Sequence, residues 1–171
     1  VEENAMTQPS ANISRPQMPA SYGIDPSQRD HLLAWSWVEE RMRAARNYWV
    51  ISVTPEGRPH AAPVWGVWHE GALYFGSDLE ARKARNLAVN PALTVHLESG
   101  DEVVILEGEA EFIRDQAALD AVGAAYAPKY RMQVEDVLAA GALIRLKPRR
   151  AMAWLEKDFP NTATRWTFPE G

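Results

Sequence analysis

"RPHAAPVWGVWHEGALYFGSDLEARKARNLAVNP", Arg58 to Pro91, holds the change of texture on which the fold turns. "RPHAAPVWGVWH" and "ALYFGS" are rich in β-branched and aromatic residues, and the "HEG" between them is turn chemistry, so the stretch opens as a hairpin. Pro63 and Gly66 interrupt the first run, and interior Pro and Gly mark an edge, a bulge or the close approach of something else. After Ser77, Asp78-Leu79-Glu80 turns the chain into a helix whose first turns carry Arg82, Lys83 and Arg85. Cations are mildly unfavourable at the positive end of a helix. A phosphate bound there reverses the sign, because backbone N–H groups and basic side chains converge on it. The residues alone leave two readings open: an anion site, and a solvated basic face with Glu80 offsetting part of its charge.

Working outward, "YWVISV" and the turn "TPEG" add a strand in front, giving a three-strand meander. Behind lie "ALTVHLES", a Gly100-Asp101 turn and "EVVILEGEAEFI", a second hairpin. "RDQAALDAVGAAYAPKY" reads as an amphipathic helix ending near Pro128, and "VEDVLAAG" as a short helical turn. "ALIRLKPRRAMAWLE" and "TRWTF" return to strand texture. Upstream, "DPSQRDHLLAWSWVEERMRAARN" carries a capping signal at Asp25 or Ser27 and an apolar stripe, which predicts an amphipathic helix of about four turns. Residues 1–24 are polar and Pro/Ser-rich and read as a mobile arm, with Met6 as the native start and Val1–Ala5 foreign to it. Residues 25–171 form a single domain. Six or seven strands with short connections and few helices predict a mainly β protein, a closed or nearly closed barrel with helices packed outside.

Composition removes several function classes. The chain of 171 residues has a formal net charge of −5, which gives no general reason to expect nucleic-acid binding. It has no cysteine, which excludes disulfides, zinc–thiolate sites, iron–sulfur clusters and thiol catalysis. No apolar run reaches the length of a membrane span, and no signal-peptide core is visible, so a cytoplasmic location is expected. His31, His60, His69 and His96 show no short-range ligand spacing, so no metal is expected. No nucleophile elbow, Walker loop or dinucleotide fingerprint is present. If the protein is an enzyme, its hard chemistry belongs to a bound cofactor.

The segment from Gly57 to Ile113 resembles the split β-barrel flavin and deazaflavin oxidoreductases, the superfamily of pyridoxamine 5′-phosphate oxidase and of F420-dependent enzymes. "RPHAAPVW", "S…ARKARNLAVNP" and the "GDEVVILEGEAE" hairpin carry the match, in that order. The resemblance implies a six-stranded split barrel that forms a homodimer with cofactors at the subunit interface. It places the cofactor phosphate on Arg82 and Lys83, aided by Ser77, with Asn86 supporting the loop. His60, Ala61, Ala62, Pro63, Val64 and Trp65 would lie along the tricyclic ring and bond its edge through backbone groups. Trp154 and Trp166 would close the pocket from the partner subunit, with core or dimer packing as the alternative. Arg145, Lys147, Arg149 and Arg150 would form a basic rim for an anionic tail, or a solvated strand face.

The arginine–histidine substrate signature of the true pyridoxamine 5′-phosphate oxidases is missing, and "ATRWTF" stands in its place. The pattern is closer to members that use coenzyme F420. The reading is therefore an F420-dependent reductase passing hydride to an unsaturated small molecule. FMN-dependent chemistry on the same fold is the alternative, and a non-catalytic cofactor or tetrapyrrole carrier is the third reading. His60 and Tyr126 are the candidate proton donors, and neither is assigned a catalytic role.

Overall fold

The computed structural model describes residues 11–132, 136 and 141–169. In chain order the elements are β1 (Asn12–Ser14), α1 (Trp35–Ala44), β2 (Asn47–Val53), β3 (Pro59–His69), β4 (Ala72–Ser77) and α2 (Arg82–Val89). They continue with β5 (Ala92–His96), β6 (Glu102–Ile113), α3 (Gln116–Tyr130), β7 (Ala142–Leu155), the single-turn α4 (Phe159–Thr162) and β8 (Thr164–Thr167). Strands β2-β3-β4-β7-β6-β5 pair in that order and β5 returns to β2, closing a six-stranded antiparallel barrel. β8 and β1 extend the sheet from the second half of β7. The expected split-barrel class is the observed one.

Alternation builds the core. Tyr48, Val50, Val64, Leu73, Phe75, Val95, Leu106, Ile144 and Leu146 point into the barrel and are buried. Trp35, Val38 and Met42 of α1 join this core together with Trp166, while Ala84 and Leu87 of α2 enter it from another side. A second cluster forms where α3 packs Val122, Tyr126 and Tyr130 against Val67, Tyr74 and Leu143. Among the described residues no helix is long and apolar enough to cross a membrane.

The β3–β4 hairpin sets the geometry of everything nearby. Glu70 and Gly71 have φ of 47° and 74°, the left-handed pair of a two-residue type I′ turn. Its closing pair is His69 and Ala72, so the odd-numbered residues of β3 aim their backbone groups toward β4. Pairing with β4 stops at Gly66 and Phe75, beyond which β4 continues along β7. The earlier half of β3 keeps β2 as its neighbour, with Trp65 opposite Asn47 and Pro59 opposite Val53. Pro59, Ala61, Pro63 and Trp65 therefore present an open strand edge. Pro63 fits there because its missing N–H would have faced no partner. The expected interruption at Pro63 and Gly66 is an edge within one continuous strand.

Two sequence expectations are corrected. The helix predicted from Asp25 begins only at Trp35, behind Ala34, which offers no side-chain cap. The Asp25 carboxylate does accept from the Ser27 N–H at 2.9 Å, but it caps a turn. The buried Arg15 guanidinium takes the Gln28 carbonyl at 3.2 Å and bonds those of Asp30, Asn161 and Ala163, holding this segment out of helical register. The arm expected over residues 1–24 is, from Asn12 to Ser14, a strand paired with β8. Residues 1–10 and most of the turn expected at "VEDVLAAG" lie outside the described residues.

A Cβ on Gly66 would meet the Tyr74 carbonyl oxygen at 2.8 Å and Tyr48 Cδ2 at 3.3 Å. Gly66→Ala is expected to destabilise the protein by about 1–3 kcal/mol, read as a lower denaturant midpoint. An unchanged midpoint would show that the strands can separate there at no cost.

Candidate functional site

Where β4 leaves β3, a groove of about 330 Å³ opens. Pro63, Val64 and Trp65 line one side, and Gly76, Ser77 and Asp78 line the other. Lys83 from α2, Tyr126 from α3, Met132 and Asp136 complete the wall. One rim is thus an unpaired strand edge, able to donate from the N–H groups of Ala61 and Trp65 and to accept at the carbonyls of Ala61 and Pro63. The other end lies beside the start of α2.

Glu80 N–H bonds the Asp78 carboxylate at 2.8 Å, and Ala81 N–H the Asp78 carbonyl at 3.1 Å. This turn delivers α2 with Ala81 as an N-cap that has no side-chain bond. The first N–H groups of the helix accordingly lack an intrahelical acceptor. Ser77 Oγ donates to the Asp78 carbonyl at 3.0 Å, and its buried side chain holds the turn. Asn86 is buried and donates to Ser52 Oγ at 3.0 Å, fixing α2 on β2.

The helix divides its cations. Lys83 faces the groove, whereas Arg82 and Arg85 line a separate depression of about 690 Å³ with Arg58, Glu56, Thr54, Pro59 and Asn86. Arg82 and Lys83, both expected on the phosphate, line neighbouring depressions because successive helical residues step by 100°. Among the described residues Arg82, Lys83 and Arg85 have no ion-pair partner, while Arg58 lies 3.6 Å from Glu56.

Other site expectations separate in the same way. Ala62 and Val64 direct their side chains to the core, whereas Ala61, Pro63 and Trp65 face outward. His60 is half-buried with Nδ1 unpartnered, and it does not line the groove. Trp166 is 0% exposed and packs on Trp35 at 5.5 Å, so it is a core residue and cannot close a pocket of a partner. Trp154 is outside the groove, edge-on to Phe159 at 5.5 Å. Three of the four cations of the expected basic rim are paired across strands, Arg145 with Glu111, Arg149 with Glu109 at 2.9 Å and Arg150 with Glu107 at 3.1 Å, while Lys147 is exposed with no ion pair among the described residues. Among the described residues no group of three His, Asp or Glu side chains is disposed to hold a metal ion.

Lys129 and Tyr130, which the sequence did not single out, brace the groove from behind. The Tyr130 hydroxyl accepts from Gly66 N–H at 2.9 Å and lies within bonding distance of the Arg46 and Gly66 carbonyls, at 2.6 and 2.8 Å. Lys129 Nζ donates to Gly66 C=O at 2.9 Å and to the Tyr48 hydroxyl at 2.8 Å. Trp65 stacks on Tyr130 with centroids 4.7 Å apart and planes at 12°. The Arg46 guanidinium lies 5.4 Å from the Trp65 ring. Burial pushes the Lys129 amine from its ordinary 10.5 down to about 8.

Residues 37–155 match the family model described as pyridoxamine 5′-phosphate oxidase, and the chain belongs to that family. A pyridoxine/pyridoxamine 5′-phosphate oxidase of Bacteroides thetaiotaomicron is 31% identical over 122 residues, covering 64% of this chain and 55% of that protein. The chain therefore spans little more than half the length of this curated relative. Among solved structures, the conserved hypothetical protein Rv2991 of Mycobacterium tuberculosis aligns with a TM-score of 0.68 at 23% identity, over 75% of this chain and 89% of that one. An F420 reductase aligns at 0.55 and 20% identity, over 66% and 94% of the two chains. HutZ, the heme storage protein of Vibrio cholerae, aligns at 0.56 and 20% identity, over 66% and 88%. At these identities the structures share the fold.

The folded chain binds fewer protons at Lys129 than the unfolded chain between about pH 8 and 10.5. Stability from this residue therefore rises with pH across that window and is flat below it. Relative to Lys129→Met, the native protein is expected to gain stability from pH 8 to 10.5 in parallel denaturant titrations; a constant difference would place the amine in solvent.

Proposed function

We propose that the groove holds a phosphate-bearing flavin-type coenzyme, F420 in the first instance, and that the protein is an oxidoreductase acting on an unsaturated small molecule. The observation that carries this reading is the convergence of the open β3 edge, the start of α2 and Lys83 on one groove. An unpaired strand edge suits the polar rim of a planar heterocycle, since backbone donors and acceptors approach it without intervening side chains. The uncapped helix start with Lys83 suits a phosphate at the other end. When bound, the coenzyme supplies hydride transfer. The chain's residues orient the ring and exclude water.

Arg58, Arg82 and Arg85 favour F420 over FMN. Their depression lies on the far side of α2 and suits an anionic tail that continues past the first phosphate, whereas the phosphate of FMN is terminal. A homodimer belongs to the same reading. Trp49 and Ile51 stand opposite Pro63 and Ala61 on the outer sheet face, forming an apolar patch that a second copy would cover.

Titration of the cofactor-free protein with F420 and FMN tests the assignment. Lys83→Ala is expected to weaken either coenzyme by about 1.5–3 kcal/mol, and Arg85→Ala to weaken F420 more than FMN. If neither coenzyme binds, the reading fails; a preference for FMN with no effect of Arg85→Ala moves the chemistry to flavin. Light scattering of the purified protein is expected to give twice the 19.1 kDa chain mass, and a monomer would remove the dimer from the proposal.

A further inference from the structure

A chain of net charge −5 keeps a half-buried ammonium behind the groove without a counter-charge. Lys129 Nζ donates to two neutral oxygens, the Gly66 carbonyl at 2.9 Å and the Tyr48 hydroxyl at 2.8 Å. Among the described residues no carboxylate forms an ion pair with it. The amine lies 4.9 Å from the Tyr48 ring and 5.5 Å from the Tyr130 ring, and the Arg46 guanidinium is 5.6 Å from that second ring. A neutral amide could serve the same two oxygens without the desolvation that an ammonium suffers there. Hydrogen bonding therefore leaves the charge itself unexplained. The groove is close by. Gly66 follows Trp65 in β3, and Tyr48 stands opposite Val64 in the β2–β3 pairing. Trp65 and Val64 both line the groove, so one layer of protein separates it from the amine.

We infer that Lys129 acts on the bound coenzyme through space, its positive charge holding the F420 ring in its ionised form. This role rests on the coenzyme reading and deepens it. The F420 ring carries a phenol-type hydroxyl, and its ionisation spreads negative charge over the conjugated system and changes its colour. A cation one layer away favours that anion without touching it, because the intervening protein screens poorly. Lys83 has a different job, since a contact at the phosphate end serves both forms of the ring. The other groups around the amine keep their charge as the ring titrates. Burial raises the pKa of Tyr48, Tyr126 and Tyr130, so all three stay neutral, and Arg46 is a fixed cation. Asp136 and Lys83, on the groove itself, are unaltered by a change at Lys129.

Absorbance titration of F420 bound to the full chain, in native protein, Lys129→Gln and Lys129→Arg, tests the role. Lys129→Gln keeps an N–H donor for Gly66 and removes the charge, whereas Lys129→Arg keeps the charge. The native protein is expected to ionise the bound ring at a pH about one unit lower than Lys129→Gln does, about a ten-fold preference for the anion. Lys129→Arg should stay close to native. The coupling also reads in native protein alone, because an anionic ring must in turn hold the proton on the amine. F420 affinity should therefore fall about five-fold from about pH 7 to about pH 9, as Lys129 loses its proton near its pKa of about 8. A purely structural Lys129 would weaken F420 in Lys129→Gln without moving the ionisation midpoint. Equal midpoints in native protein and Lys129→Gln, a Lys129→Arg midpoint matching that of Lys129→Gln, or a native affinity flat with pH would overturn the inference and leave F420 binding in place. A native protein that does not bind F420 sinks the coenzyme reading and this role with it.

Discussion

The groove depends on how the backbone of Gly66 is satisfied. Gly66 is still paired with Phe75 of β4, but its N–H and C=O aim toward the β2 side, where pairing has ended at Asn47. A buried N–H and C=O left beyond the end of a strand would be costly. The Tyr130 hydroxyl meets the donor, and the same hydroxyl and Lys129 Nζ meet the acceptor. A helix thus takes the place of the β2 residue that would have met Gly66. Gly66 is required for a second reason: Tyr74 and Tyr48 approach it too closely for any side chain.

That one anchorage reaches the site through helix geometry. Residues four apart share a face of α3, so fixing Tyr130 also fixes Tyr126. Trp65 is fixed from the opposite side, being next to Gly66 in β3 and stacked on the same Tyr130 ring. The groove wall is therefore held by the contacts that satisfy Gly66. A rigid exposed aromatic is a stronger sign of a binding wall than an exposed aromatic alone, since ordering it in advance lowers the entropy lost on association.

The strands and α2 were legible because their signals are local. Alternation, the Glu70-Gly71 turn and the Asp78 turn each act within a few residues. The start of α1 was not legible, because the residue that decides it, Arg15, reaches Gln28 across 13 positions and Ala163 across 148. Much of the candidate site shares that limit. Lys83 and Ser77 could be found from a strand–turn–helix motif, and Pro63 from its conflict with a central strand. Arg58 reaches the neighbourhood of Arg85 only because β2 and β3 fold back on each other beneath α2. Tyr126 is one of several aromatic residues on an apolar helix until the fold brings it to the groove wall.

Charge completes the account. The carboxylates of β6 are set against the arginines of β7, so a stretch that looks basic in sequence is largely offset. The cations of α2 receive no such compensation from described neighbours, and they sit where the helix dipole already disfavours them. A protein of net charge −5 had carboxylates enough to pair them. Leaving them free on both sides of one helix start puts Lys83 on a groove and Arg82 and Arg85 on a depression that they share with the Arg58–Glu56 pair. A ligand with a single terminal phosphate can use one face. A ligand whose charge continues beyond a phosphodiester could use both, which is why the proposed reading puts F420 ahead of FMN.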